Sequence, residues 1–377
     1  MIKEWHIWDF PGNIYVLIKK EVREEFFREM YKKFGSQKNY AKYLEKTADM
    51  VRKYHYAKDI TFGKEYKVYI PASVIKKSRP FLNKELEKLI EDNIITIRTP
   101  PNSEIKNPKL PIKECKEVYR ILGHLIGDGS GPEAHQPYYC NSCKKLREQF
   151  KEDLKIFGDV NTKEINLNPT FGIAFPSVLC KILSHIFDVK FTRPYKLPSR
   201  IWNTKKEYRV EILKALFDDE GTISPHLAIS MKNKNLMSEI KFLLNSLEIK
   251  ISKNLIKKYT KEGSLNWGLN ISTKFYKKFD SIIGFYHPNK DKNLKIAIDI
   301  IDNSKMNMSK LNRPFAAINL RKEMIKFLSR SYYSTFELSK LILANYFRVH
   351  RNMIALEKQN IVERFGFKNK IKWKLRS

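Results

Sequence analysis

The sequence has no apolar run of about 18 residues and no basic start followed by an apolar stretch. It is therefore expected to carry neither a membrane-spanning helix nor a secretion leader, and to be a soluble, cytoplasmic protein. Cysteine is scarce. The four at 115, 140, 143 and 180 do not make a secreted disulfide framework. Cys140-Asn-Ser-Cys143 raises the question of zinc, yet the sequence has no second C-x-x-C and no paired histidines, which leaves His135 and Cys115 as conceivable further ligands. Reduced cysteines are the expectation. Acid is scarce relative to base, with 41 Asp and Glu against 72 Lys and Arg, a formal net charge of +31. Such an excess repels itself in a compact chain and calls for a polyanionic partner, nucleic acid first.

What is present excludes a disordered basic tail, because aromatics make up 12% and apolar residues 42% of the 377 positions, enough for two or three packed domains. Two segments organise the rest. The first is Ile121-Leu122-Gly123-His124-Leu125-Ile126-Gly127-Asp128-Gly129; the second is Leu213-Lys214-Ala215-Leu216-Phe217-Asp218-Asp219-Glu220-Gly221. Val118, Ile121, Leu122, Leu125 and Ile126 recur at helical spacing, and Gly123 and Gly127 lie one turn apart as a small-residue seam. The second run carries Ile212, Leu213, Leu216 and Phe217 on its apolar face, with Ala215 where the first has Gly123. Interior glycine costs a helix about 1 kcal/mol relative to alanine, so two of them imply close approach of a second helix. Asp128 and Glu220 are each expected at the last helical position, followed by a glycine in the left-handed C-terminal cap. Two carboxylates at two negative helix ends would repel unless a hard divalent cation is shared between them, which points to Mg2+, with Mn2+ as a substitute. Asp219, beside the seam, would be costly unless the helix ends flare into solvent.

These two segments, in register 92 positions apart (220 minus 128), resemble the paired motifs of LAGLIDADG (dodecapeptide, DOD-type) homing endonucleases in the two-motif, single-chain form. Glu220 departs from the usual terminal Asp, and Asp219 stands at a position commonly small. The resemblance implies an α+β fold, a pseudo-twofold duplicated αββαββα plan whose sheets form a basic saddle over the DNA major groove. It implies metal-dependent hydrolysis of double-stranded DNA, with one carboxylate, Asp128 or Glu220, serving each strand. A lysine near the scissile phosphate can stabilise developing charge or organise the water, and Lys163, Lys257 and Lys258 are the candidates.

Taken in order, residues 1–110 read as an N-terminal helix-turn-helix-like domain. Residues 22–34 are amphipathic; a short Ser36-capped helix and a turn then lead to a second helix with Arg52, Lys53 and Tyr56 outward for DNA and Met50, Val51 and Tyr54 at the core or its border. A strand over 67–71 and a helix over 81–93 come next. The proline-rich run from Thr99 to Asn102 is expected to be a linker. Residues 111–312 read as the two-repeat endonuclease domain, with Asn266, Gly268, Asn270 and Ser272 alternating against Trp267, Leu269 and Ile271 as the polar and buried faces of a strand. Residues 313–377 resemble a winged helix, with Thr335 as N-cap, a helix over 349–358 presenting His350, Arg351 and Asn352, and a wing over 361–375 with Lys368, Lys370 and Lys372 on phosphates.

The expectation is a monomeric, site-specific DNA endonuclease whose target need not be palindromic. Two other readings stay open: a DNA-binding regulator that lost cleavage, and an RNA maturase that helps an intron fold. Protein splicing needs a Cys, Ser or Thr first and an Asn last, so Met1 and Arg376-Ser377 are expected to exclude an intein.

Overall fold

A computed structural model describes residues 3–56, 67–100, 103–131, 136–168, 170–223, 226–259, 263–308, 313–342, 344, 346–366 and 371–376. The chain falls into two compact units, Met1–Asp219 and Glu220–Ser377. This division lies along a different line from the expected boundaries at 110 and 312. No helix among the described residues is long and apolar enough to cross a membrane.

In the first unit a five-stranded sheet runs in the order Ile70–Pro71, Tyr15–Ile18, Ile94–Thr99, Ser103–Lys106, Asp159–Val160. Thr99 pairs with Ser103, so the strands on either side of the proline-rich run are neighbours in the sheet, while Pro101 and Asn102 lie outside the described residues. The outermost strand comes from beyond residue 110, and Glu4–Trp5 pairs with Ile112–Lys113, so both pairings tie the N-terminal segment to residues past the expected boundary. Helices Lys20–Phe34, Gln37–Tyr43 and Ala48–His55 pack together, with Phe26, Phe27, Met30, Tyr40 and Val51 buried. Ser36 and Thr47 cap the second and third of these through their side chains, accepting from Asn39 and Met50. Met50, expected at the core border, is 41% exposed.

Two long helices complete this unit, Lys116–Gly127 and Lys206–Glu220, the latter ending where the division falls. Between them in sequence lie a three-stranded antiparallel sheet, ordered Tyr138–Cys140, Phe171–Ala174, Lys163–Asn166, and helices Lys144–Leu154 and Ser177–Phe187. The glycine seam is present. A Cβ on Gly123 would stand 2.6 Å from Ala215 Cβ and 2.8 Å from the Ile212 carbonyl oxygen, and one on Gly127 would stand 2.9 Å from Asp219 Oδ2. A buried charge cluster lies beside the seam. Arg120 donates from Nε and Nη2 to both oxygens of Asp153, at 2.6 and 2.8 Å, and from Nη1 to Glu211 at 2.9 Å, joining three helices. Removing one member of such a buried set typically costs about 3–5 kcal/mol, because the others lose their counter-charge.

The second unit opens with a four-stranded antiparallel sheet in the order Gly221–Thr222, Ala228–Met231, Leu265–Asn270, Ile256–Tyr259, on which helix Lys234–Ser246 packs. Helices Tyr276–Ile282 and Pro288–Met308 come after it in the chain. The tail has helices Arg313–Leu328, Thr335–Leu341 and Tyr346–Lys358 and an antiparallel ribbon of Val362–Phe365 with Lys372–Leu375. Leu320, Met324, Leu338, Val349, Met353 and Trp373 form its core. Ser334, not Thr335, is the N-cap, in a capping box with Glu337. Thr335 is buried, and its hydroxyl accepts the Trp373 indole N–H at 2.8 Å.

Gly123→Ala tests the seam. Alanine is the better helix former, but its methyl meets backbone and a Cβ that cannot swing aside, so a net loss of about 1–2 kcal/mol in urea unfolding is expected, part of it recovered by Ala215→Gly. An unchanged or raised midpoint would show that the helices separate at no cost.

Candidate active site at the end of the glycine seam

Asp128 is the C-cap of helix Lys116–Gly127, one residue beyond the expected last helical position. Its N–H donates to the His124 carbonyl at 3.0 Å, and its own carbonyl accepts the Cys140 N–H at 3.1 Å. Gly129 does not adopt the expected left-handed cap. It bridges to Tyr139, and a Cβ there would lie 2.4 Å from Leu125 Cα, so close approach rather than positive φ demands the glycine. Gly221 likewise opens a strand.

The half-buried Asp128 carboxylate is held by Asn141, whose amide Nδ2 donates to Asp128 Oδ2 at 3.2 Å and to Asp219 Oδ1 at 3.0 Å. The helix end does not flare to expose Asp219, whose side chain is 0% exposed. Its carboxylate takes hydrogen bonds from His124 Nδ1 at 2.9 Å, Tyr139 Oη at 2.8 Å and Asn141. Gly127 supplies the room. A buried carboxylate without such donors would cost several kcal/mol. Burial, then the Asp219 charge, holds the Tyr139 hydroxyl well above its ordinary range. Burial pushes His124 down to about 4, against the opposing pull of Asp218 and Asp153. The imidazole is thus neutral at pH 7. Since Asp219 only accepts, Nδ1 carries the proton, and the buried Nε2 has no hydrogen-bond partner among the described residues. Neither Asn141 nor His124 stood out in the sequence; the available signal was a pair of polar residues one turn apart, Arg120 and His124, inside an apolar run.

Glu220 is the last residue of helix Lys206–Glu220 and is half-buried. The three candidate lysines separate. Lys163 is exposed on its strand. Lys257 and Lys258 are adjacent on one strand, so their side chains take opposite faces. Lys257 faces Trp267, its ammonium 5.6 Å from the ring centroid. Lys258 shares the polar face with Asn266, its cross-strand partner, and burial lowers its pKa from the ordinary lysine value. The expected alternation holds for Leu269 and Ile271, which are buried, while Trp267 is only half-buried.

Among the DNA-contact candidates, Arg52 and Lys53 are exposed but paired to Asp49, at 3.2 and 3.1 Å. Tyr56 is exposed. Arg351 is exposed, whereas His350 and Asn352 are half-buried and engaged inside the tail. His350 stacks on Tyr346, and Asn352 accepts from Arg321 Nε at 2.9 Å. Lys368 and Lys370 lie outside the described residues, and Lys372 sits over the Tyr332 ring. The four cysteines form no disulfide among the described residues, and Cys140 Sγ lies 3.0 Å from Thr170 Oγ1. Among the described residues no three His, Cys, Asp or Glu side chains are grouped to hold a metal; His135 lies outside them. A groove of about 1010 Å3 in the first unit is lined by Lys106, Lys109, Lys155 and Lys163 together with Glu104 and Asp159.

No protein-family model matches the chain. Among curated proteins it is similar to a glutamine-fructose-6-phosphate aminotransferase (isomerizing) of Methanocaldococcus jannaschii, 25% identical over 239 residues, 60% of this chain and 21% of that protein. It is also similar to a DNA polymerase of Thermococcus sp. strain GE8, 24% identical over 276 residues, 66% of this chain and 16% of that protein. The chain thus spans about a fifth of these relatives or less. Among solved structures it is similar to the homing endonuclease I-DmoI in complex with DNA and Mn, at TM-score 0.34 and 17% identity, over 45% of this chain and 96% of that one. The homing endonuclease I-WcaI bound to its DNA recognition sequence gives TM-score 0.34 and 14% identity, over 48% of this chain and 85% of that one. The N-terminal LAGLIDADG domain of DUF199/WhiA gives 0.33 and 13%, over 47% and 87%. Likenesses of this size leave function to be argued from the residues.

The His124 shift has a stability consequence. As pH falls below the ordinary 6.5, the unfolded chain takes the proton first, so stability falls between pH 6.5 and about 4 and levels off for this group below that. The share due to His124 is on the order of 3 kcal/mol. His124→Asn, whose amide can donate to Asp219 from the same place, should flatten that part of the slope in urea unfolding from pH 7 to 4. Equal slopes in the two proteins would mean that His124 is not buried neutral.

Proposed function

We propose that the chain is a metal-dependent endonuclease of double-stranded DNA, built on a duplicated αββαββα plan, with Asp128 and Glu220 as its cation-binding carboxylates. The observation that carries the reading is the treatment of neighbouring acids at the end of the seam. Asp219 is sealed and satisfied by three donors, whereas Asp128, one helix away, stays half-exposed and is oriented by Asn141.

The donor chemistry suits Mg2+ or Mn2+. Carboxylate oxygens are hard ligands, and Mg2+ keeps several waters and takes one or two carboxylates plus phosphate oxygens, so two carboxylates suffice as its protein ligands. The ion, when bound, lowers the pKa of a water and neutralises charge on the leaving oxygen. Asn141 fixes the Asp128 carboxylate before substrate arrives, and Asp219, held by His124 and Tyr139, fixes Asn141. Lys258 is the lysine candidate best supported for the phosphodiester, since it lies on the polar face and is desolvated. Ser230, Asn266 and Asn270 on that face are suited to base edges, and basic residues elsewhere to phosphates. The tail reads as a winged helix, with Arg351 as its exposed contact. The helix pair Gln37–Tyr43 and Ala48–His55 reads as a second DNA-binding module in which Arg52 and Lys53 must leave Asp49 to reach phosphate. The names of the two curated relatives describe different chemistries, and neither is carried over.

Incubation of the protein with a randomised duplex library in Mg2+, with sequencing of the cut ends, should return one site. Asp128→Asn and Glu220→Gln should each reduce cutting by more than the about 10–100-fold typical of losing a residue that merely supports a ligand, with DNA binding kept or tightened. Wild-type cutting by both variants would refute the assignment. For the tail, Arg351→Ala should weaken binding evenly across sequences and lower the slope of log affinity against log salt by about 1. An unchanged slope would remove the tail from the DNA contact.

A further inference from the structure

Gly268 sits in the middle of Leu265–Asn270, a strand flanked on both sides, where glycine weakens a sheet by offering nothing to pack. Its backbone does not demand glycine, since its φ is not positive. Its space does. A Cβ there would lie 3.1 Å from Lys258 Cε, 3.2 Å from Ser230 Cβ and 3.3 Å from the Ile229 carbonyl oxygen. The register explains the lysine. Gly268 pairs with Ile256 on one side and Ser230 on the other, and Lys258 pairs with Asn266, so Lys258 is the diagonal neighbour of Gly268 on the same face. Diagonal Cα atoms on paired strands are about 7–8 Å apart, a gap that a long side chain spans.

We propose that Gly268 is a positioning residue for Lys258: its missing side chain is a slot that lays the lysine stem along the central strand and holds the amine against the sheet's polar face. This rests on the reading of that face as the one that meets DNA. In the slot the amine is partly stripped of water, in keeping with its lowered pKa, for which burial is the cause. The groups around it are Asn266 and Ser230 on the sheet and His226 just before Ala228–Met231; burial and then the Lys258 charge lower the His226 pKa. No carboxylate pairs with Lys258 among the described residues. An amine so placed spends more of its time neutral than an open lysine does, and when charged it is suited to meet a phosphate on that face.

Gly268→Ala adds one methyl and is the mildest way to fill the slot. Lysines of the full-length protein are reductively methylated with 13C, the Lys258 signal is assigned by its loss in Lys258→Arg, and its pKa is read by titration without DNA. The expected result is a value below the ordinary 10.4 in the wild type and an upward shift in Gly268→Ala. The alkaline limb of the cleavage pH profile should move the same way. A folding readout keeps the test independent of both: Gly268→Ala should lower the urea midpoint in the wild-type background, and the part of that loss due to the lysine should vanish in Lys258→Ala, leaving the contacts with Ser230 and the Ile229 carbonyl. An unmoved Lys258 pKa, or an equal midpoint loss in the two backgrounds, overturns the slot. Absence of cleavage by the wild type would refute the endonuclease reading and leave the titration and the folding cycle to decide the slot alone.

Discussion

Everything in the first unit depends on how closely two helix backbones approach. Gly123 sets that approach against Ala215 and the Ile212 carbonyl, and Gly127 extends it to the last turn, where the space vacated by one Cβ is taken by the Asp219 carboxylate. Glycine at both places is unfavourable for an isolated helix. It is the condition for a pair of helices packed through their backbones, with Asp128 beginning where the seam stops.

Close packing of this kind brings charge into the interior, and each buried charge there has its own partners. Arg120 is held by Asp153 and Glu211 near the start of the seam, and Asp219 by His124, Tyr139 and Asn141 at its end. The first set is a mutual neutralisation of ions. The second is a carboxylate solvated by neutral donors, and a neutral His124 with a depressed pKa belongs to the same arrangement. Across the whole chain 72 Lys and Arg outnumber 41 Asp and Glu, and that positive excess favours association with a polyanion.

The sheet of the second unit shows the same use of a missing side chain for a different end. At Gly123 the absent Cβ admits a neighbouring backbone; at Gly268 it admits a lysine stem. In both cases the glycine matters for what it lets in, because its own φ is ordinary.

Much was legible in the sequence because it depends on local period and residue type. Apolar recurrence at helical spacing marked helices Lys116–Gly127 and Lys206–Glu220, the small residues Gly123 and Ala215 marked their contact, and the alternation around Leu269 and Ile271 marked a half-buried strand. The proline-rich run signals only a break in regular structure, and the pairing of Thr99 with Ser103 is what shows that the strands beside it are neighbours. The fate of each polar side chain was settled by tertiary structure. Asp219 is sealed because Tyr139 and Asn141, some 80 positions away, are folded onto it. His350 and Asn352 are half-buried beside Tyr346 and Arg321, and Lys258 rather than Lys257 gains the polar face because strand register fixes which of two adjacent residues points which way. Spacing along a chain determines which residues share a helix or strand face. Which of them keep water, and which find a partner, depends on groups brought together from distant positions.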